Sequence, residues 1–189
     1  MDELSDAVAE AFAATPRAGF LPRRARRRAS YDGPIEIGHG QTSSQPKTVA
    51  AMLALLEVRA GDRVLDVGAG SGWTTALLAH LTGPTGSVVG VERVPELVAF
   101  GRANLARTAR PWARIEAADA GALGWPADAP YDRILVSAQA RALPGQLVDQ
   151  LAAGGRLVVP VAGTMVLVRA TPDGPVVSEH GSYRFVPLL

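Results

Sequence analysis

Apolar residues recur at helical spacing at the start of the chain, where Leu4, Val8, Ala11 and Phe12 predict a short helix over residues 3–14. Residues 29–45 are polar and glycine-rich, with Tyr31-Asp32-Gly33-Pro34 as a turn signal. Pro46 suits a first helical position. Val49, Met52, Leu53 and Leu56 then form one apolar face, which predicts a helix over 46–57. From there the period alternates. Short apolar runs at 63–67, 87–91, 113–117, 134–137 and 156–161 read as strands. Helices are predicted between them at 74–81, after Pro95 (Leu97, Phe100, Leu105) and after Pro144 (Leu147, Val148, Leu151), the last stopped by Gly154-Gly155. Two further strands, 165–170 and 176–185, flank a Pro-Asp-Gly turn.

Strands alternating with helices predict an α/β fold: a doubly wound, mostly parallel seven-stranded sheet with helices on both faces and an antiparallel C-terminal edge. The 189 residues make one structural domain. Within it, residues 1–45 read as an N-terminal helical extension with a substrate loop, and 46–189 as the core. In such sheets ligands bind at the carboxyl ends of strands, where strand order reverses.

Composition removes several kinds of chemistry. There is no cysteine, so disulfides, thiolate nucleophiles and Cys-ligated zinc are excluded. The three histidines, His39, His80 and His180, have no metal-binding spacing, and no metal is implied. His39 reads as structural or solvent-facing. The acidic start Met1-Asp2-Glu3 is unlike a signal peptide, and no apolar run reaches the length of a spanning helix, so the chain is expected in the cytoplasm. Net charge is +1, and of 19 basic residues only Lys47 is a lysine. The one dense cluster, Arg23, Arg24, Arg26, Arg27 and Arg28, reads as a solvated helix face. Its alternative is an anionic-partner or nucleic-acid patch, but no aromatic is interleaved for base stacking.

The sharpest motif is Asp66-Val67-Gly68-Ala69-Gly70-Ser71-Gly72, directly after the first strand of the alternating series. Glycines there let the backbone turn tightly and approach a ligand, and the helix that follows adds free N–H groups. The spacing differs from that of dinucleotide binders, and the Lys of a phosphate loop is missing. Glu92 ends the next strand, where a carboxylate can accept hydrogen bonds from ribose hydroxyls. Asp119 follows the third, where it can accept from an adenine amino group. Singly, either reads as a solvated loop carboxylate.

Together these residues resemble the class I methyltransferases that use S-adenosyl-L-methionine (SAM). The resemblance implies that Asp66 faces the methionine amine through water, Gly68 and Gly70 line the cofactor, Glu92 holds the ribose and Asp119 the adenine. A second resemblance is more specific. Gly40-Gln41-Thr42-Ser43-Ser44-Gln45-Pro46, Val91–Leu97, Leu123-Gly124-Trp125-Pro126, Gly154–Val161 and Phe185-Val186-Pro187-Leu188 look like the protein-L-isoaspartate O-methyltransferase family, in order and over nearly the whole chain. That resemblance implies methyl transfer from SAM to the α-carboxylate of L-isoaspartyl residues, with such proteins or peptides as partners. It makes Ser44 the catalytic serine, with Thr42 supporting the loop and Gln45 and Lys47 on the substrate side. On spacing alone Ser44 would be a helix-capping hydroxyl.

Several residues depart from the family pattern. Ser43 replaces an apolar residue, which predicts a less firmly seated loop. Lys47 replaces an aromatic or His beside the expected substrate carboxylate. Ala118-Asp119-Ala120 replaces Gly-Asp-Gly. The short C-terminus predicts that part of the substrate wall is missing. These departures leave two alternatives: a carboxyl methyltransferase tailoring a dedicated acidic peptide, and a SAM-binding module with altered or lost activity. A monomer that binds neither membrane nor nucleic acid is expected.

Overall fold

The structure, a computed structural model, describes residues 3–188. Helix α1 (Glu3–Ala14) is followed by two 3₁₀ turns, Arg17–Phe20 and Arg23–Arg28. The polar stretch 29–45 is not all loop: it contains a small antiparallel hairpin, β1 (Ile35–Gly38) and β2 (Gln41–Ser43). Ile35 and Ile37 alternate inward there while Glu36 faces out. At the tip, Gly38, His39 and Gly40 all have positive φ, so the connection suits glycine and leaves His39 exposed.

Helix α2 (Pro46–Leu56) starts on Pro46, as its missing N–H permits, and ends where Glu57 turns left-handed. The remaining elements are β3 (Arg63–Val67), α3 (Trp73–Thr82), β4 (Ser87–Glu92), α4 (Pro95–Ala106), β5 (Ala113–Ala117), β6 (Tyr131–Val136), α5 (Gly145–Val148), β7 (Leu151–Val161), β8 (Thr164–Thr171) and β9 (Gly174–Ser182). The main sheet has seven strands in the order β5-β4-β3-β6-β7-β8-β9. Pairs from β5 to β7 are parallel, and β8 and β9 add antiparallel partners.

Side chains of the central strands alternate between two cores. Val64, Val88, Leu135 and Val158 join one face with α1–α4, through residues such as Ala11, Met52, Leu77 and Val98. Leu65, Val89, Ile134 and Leu157 join the other with Leu147 of α5, and with Leu123 and Trp125 packed against them. The doubly wound expectation therefore holds, with heavier helical cover on one face. The N-terminal segment is part of this packing: Leu21 and Ala25 form a third cluster with Ile35, Ile37 and Leu97 of α4.

One element differs from its expectation. The helix after Pro144 is a single turn, and Leu151 belongs to a strand, paired with Tyr131. Between Leu151 and Arg156 the register shifts, and Gly155 sits where a Cβ would lie 2.8 Å from the Ala152 carbonyl oxygen. Gly154-Gly155 therefore marks an irregularity inside a strand, not a helix stop. Three apolar positions cannot separate the two cases. Instead, the Gln150 side chain closes this turn by donating to the Leu123 and Gln146 carbonyls and accepting from the Trp125 N–H.

Candidate active site

Strand order reverses between β3 and its neighbours β4 and β6, and the main cavity lies at their carboxyl ends. It encloses about 750 Å³, within the usual range for small-ligand sites. The glycine turn after β3 forms its floor, with Glu92 and Val94 after β4, Asp119 after β5 and Ser137 after β6 around it. The hairpin segment Gln41–Ser44 lines it from another side. Val186, Pro187 and Leu188 line a further part of the wall. That tail is fixed by backbone bonds between Gln139 and both Val186 and Leu188.

The turn has the backbone its glycines predict. Gly68, Gly70 and Gly72 all have positive φ, at 82°, 53° and 85°. A Cβ at Gly72 would lie 3.0 Å from Ile115 Cδ1 and 3.1 Å from the Gly101 carbonyl oxygen. The turn is held by Gly68 and Ala69 N–H bonds to the Val91 carbonyl and by Asn104 Nδ2 donating to the Ser71 carbonyl at 2.8 Å.

Glu92 fastens the same turn. Its Oε2 accepts the Gly70 N–H at 2.8 Å, and its Oε1 accepts the N–H groups of Arg93 and Val94. A carboxylate offers roughly four lone-pair positions, so Oε2 keeps acceptor capacity toward the cavity. Asp119 is exposed at the rim, where Oδ1 accepts the Gly121 N–H.

Asp66 is fully buried beneath the turn. Its Oδ2 accepts the hydroxyls of Thr74 and Thr75 at 2.8 and 2.7 Å, while Oδ1 has no partner among the described residues. Burial pushes its pKa up to about 6; the two threonine bonds oppose the shift and the Glu92 charge adds to it. A buried carboxylate oxygen without a donor is costly; Asp66 is not among the residues that line the cavity, so Oδ1 is a position for a buried water between it and a ligand there.

Ser44 lines the cavity, half-buried, at the end of the hairpin. It does not cap α2: Gln45 holds the N-cap position, and no side-chain cap bond is made from there. Asp32 serves the helix from another loop, accepting the Lys47 N–H at 3.1 Å. Thr42 also lines the cavity, whereas Gln45 and Lys47 do not. Gln45 Nε2 donates to the Asp32 carbonyl, and Lys47 Nζ pairs with Asp32 at 3.3 Å with its side chain 86% exposed. The single lysine therefore places no cation in the cavity.

The loosely seated loop expected from Ser43 is also corrected. Ser43 is buried, and its hydroxyl accepts a hydrogen bond from Arg17 Nε at 3.1 Å. Arg17 was not singled out by sequence reasoning. Its only sequence signal is a cation in the otherwise uncharged run Ala13-Ala14-Thr15-Pro16-Arg17-Ala18-Gly19-Phe20-Leu21-Pro22. The Arg23–Arg28 cluster has its arginines exposed, as expected.

A family model for protein-L-isoaspartate(D-aspartate) O-methyltransferase matches residues 3–189. The chain belongs to the protein-L-isoaspartate O-methyltransferase family. A family member from Methanopyrus kandleri is 46% identical over 191 residues, covering 98% of this chain and 84% of the relative. One from Aeropyrum pernix is 47% identical, covering 96% of this chain and 72% of the relative. Among solved structures, a protein-L-isoaspartate O-methyltransferase superposes with a TM-score of 0.88 at 28% identity, covering 98% of this chain and 62% of that one. A Plasmodium falciparum protein described as a β-aspartate methyltransferase, in complex with S-adenosyl-L-homocysteine (SAH), matches with a TM-score of 0.84 at 28% identity over the whole chain and 92% of its own.

The residues present fit SAM on the geometry of this site. The cofactor carries an ammonium and a sulfonium; the orphaned Asp66 Oδ1, buried behind the cavity lining, suits the ammonium through a water, and the spare acceptor capacity of Glu92 suits the hydroxyl-rich part. Asp119 at the rim suits an amino group, and Val94 and Leu123 supply apolar wall for a purine.

Proposed function

We propose that the protein is a SAM-dependent carboxyl methyltransferase that acts on the α-carboxylate of L-isoaspartyl residues in damaged proteins or peptides. The observation that carries this reading is the Ser44 hydroxyl: it lines the same cavity as the glycine turn and Glu92, and the helix behind it is capped by Asp32 instead. When bound, SAM supplies an electrophilic methyl group. Asp66, the glycine turn, Glu92 and Asp119 hold it at the strand ends.

The substrate carboxylate is ionised at neutral pH, so the reaction needs no strong base. What remains is alignment of the reacting oxygen, which positioned groups supply. Ser44 donates a hydrogen bond to the carboxylate and orients it, and Thr42 supports the same wall. The methyl ester then loses methanol when the substrate's own backbone nitrogen attacks, giving a succinimide that opens in part to normal aspartate. No described helix is long and apolar enough to cross a membrane; we place the activity in the cytoplasm.

The test uses methyl-labelled SAM with two matched peptides, one isoaspartyl and one aspartyl. Base-labile label on the isoaspartyl peptide alone is the expected result. Equal labelling of both peptides, or label on neither, overturns the reading.

A further inference from the structure

Arg17 is the most heavily engaged side chain near the cavity, yet it is not part of its lining. It is 5% exposed, and its guanidinium donates to five acceptors. Nε bonds the Ser43 hydroxyl at 3.1 Å, and one terminal nitrogen bonds the Tyr31 carbonyl at 2.9 Å. The other bonds the carbonyls of Gly33 at 2.9 Å, Ser43 at 2.8 Å and Ser44 at 2.8 Å. No carboxylate lies within ion-pair distance of it among the described residues. Carbonyl dipoles and the face of Trp73, 5.4 Å from the guanidinium carbon, surround the charge instead.

This arrangement ties three segments at one point. The first is the turn Tyr31–Gly33, whose middle residue Asp32 caps α2. The second is Ser43-Ser44, the end of the substrate-side hairpin. The third is Trp73, which lines the cavity at the start of α3 just after the glycine turn, and whose Nε1 donates to the Thr15 carbonyl at 3.0 Å. The Ser43 carbonyl belongs to the Ser43–Ser44 peptide and the Ser44 carbonyl to the Ser44–Gln45 peptide: with both held, the backbone on either side of the Ser44 Cα is fixed, and with it the direction of the Ser44 Cα–Cβ bond that carries the hydroxyl.

We propose that Arg17 is the positioning residue for Ser44, holding the substrate loop in register with the cofactor turn, and that the Ser43 hydroxyl is part of that clamp in this chain. The inference rests on the carboxyl methyltransferase reading for its kinetic consequence, but not for its structural one. A planar fork is required to reach acceptors in several directions at once. A lysine at this position keeps the charge, but its single nitrogen cannot span the five acceptors.

The test compares the wild type with Arg17→Lys and Ser43→Ala by three readouts: turnover on an isoaspartyl peptide, SAH affinity, and amide hydrogen exchange resolved over residues 41–48. In Arg17→Lys, kcat is expected to fall about 10²-fold, as for a misplaced reacting group. SAH affinity is expected to stay within about threefold, because the acids and glycines that hold the cofactor are untouched. Exchange should rise in the 41–48 segment and stay at wild-type rates in β3 and β4. Ser43→Ala, which removes one acceptor only, should lower kcat by about tenfold, the equivalent of one such hydrogen bond, with the same pattern of exchange. An unchanged kcat and unchanged loop exchange in either variant overturns the proposal. So does a loss of SAH affinity as large as the loss of kcat, which would show general disruption. Should Arg17→Lys not fold, Ser43→Ala decides by the same criteria. A wild type that leaves the isoaspartyl peptide unmethylated overturns the functional reading alone, and the exchange data then judge the clamp by themselves.

Discussion

The Asp32 carboxylate accepts the Lys47 backbone N–H at 3.1 Å and pairs with the Lys47 ammonium at 3.3 Å. An anion from the chain itself thus occupies the first turn of α2, the place where a helix favours negative charge. The substrate carboxylate does not need to be assigned there, and the Ser44 hydroxyl is not spent on the helix. Removing the cap should matter more than removing the exposed ion pair, since exposed pairs contribute little. Asp32→Ala is expected to lower Tm measurably, while Lys47→Met, which keeps the backbone bond, leaves it within about 1 °C. Turnover of Lys47→Met should be close to wild type at moderate salt. Differential scanning fluorimetry and a peptide assay check both; a large kcat loss in Lys47→Met would return that cation to the substrate site.

Ser44→Ala should separate chemistry from cofactor binding. The hydroxyl makes no hydrogen bond to the glycine turn or to Glu92, so SAH affinity is expected to remain at the wild-type value. The peptide kcat should fall about 10²-fold, as for a lost positioning contact. Isothermal titration with SAH alongside steady-state kinetics checks this. A parallel loss of affinity and rate would mean that Ser44 shapes the cofactor end of the cavity.

Much of this site was legible in the sequence because its chemistry is local. The glycine turn, Glu92 and Asp119 each sit at a strand end, and strand ends can be read from period and glycine spacing. The segment 41–44 was legible as a motif, and the structure places it in the lining of the same cavity as the turn. What could not be read was how distant segments meet. Arg17 lies 26 residues from Ser43 in sequence and has four carbonyl partners, groups that every residue carries. The same reason hides Asp32 as the cap of α2 and Asn104 as the brace of the turn. Nor was the hairpin at 35–43 visible, because strands of four and three residues around a glycine-rich tip give too few apolar positions to show a period.

Gly90 illustrates a packing constraint with a measurable cost. It lies in β4 opposite Asp66 in the register, and a Cβ there would stand 2.8 Å from Thr75 Oγ1 and 3.0 Å from the Ala69 Cβ. Thr75 cannot move away without losing its bond to Asp66, and Ala69 is part of the cofactor turn. Gly90→Ala is therefore expected to destabilise the fold by about 1–3 kcal/mol, the usual range for overpacking, and to weaken SAH binding. Chemical denaturation and SAH titration check it. A variant of wild-type stability and affinity would mean that the turn shifts freely over β4.

Glu92 binds three backbone N–H groups that shape the turn, in addition to facing the cavity. Glu92→Gln retains the shape but turns an amide NH₂ toward at least one of those donors. Hydrogen bonds to charged groups contribute roughly 1.5–3 kcal/mol, so SAH affinity should fall by about ten- to a hundredfold. Turnover at saturating SAM should fall much less. Unchanged SAH affinity in this variant would remove Glu92 from the cofactor site.

The buried Asp66 gives a pH dependence whose sign can be worked out. With its pKa pushed up to about 6 by burial, the native protein holds a proton on Asp66 over a range where the unfolded chain has lost it. Its contribution favours the native state most at low pH and is lost as pH rises from about 4 through about 6, by an amount on the order of 3 kcal/mol. A cofactor ammonium near the unpartnered Oδ1 acts in the opposite direction, because it favours the ionised carboxylate and pulls the pKa down. SAH binding should then release a proton and tighten as pH rises from 5 to 7, levelling off above that range. Asp66→Asn should bind more weakly at pH 7 and lose most of this dependence. Calorimetry in buffers of different ionisation enthalpy reads both the affinity and the proton count. A wild-type affinity that is flat between pH 5 and 7, with no proton released, would show that Asp66 does not sense the bound cofactor.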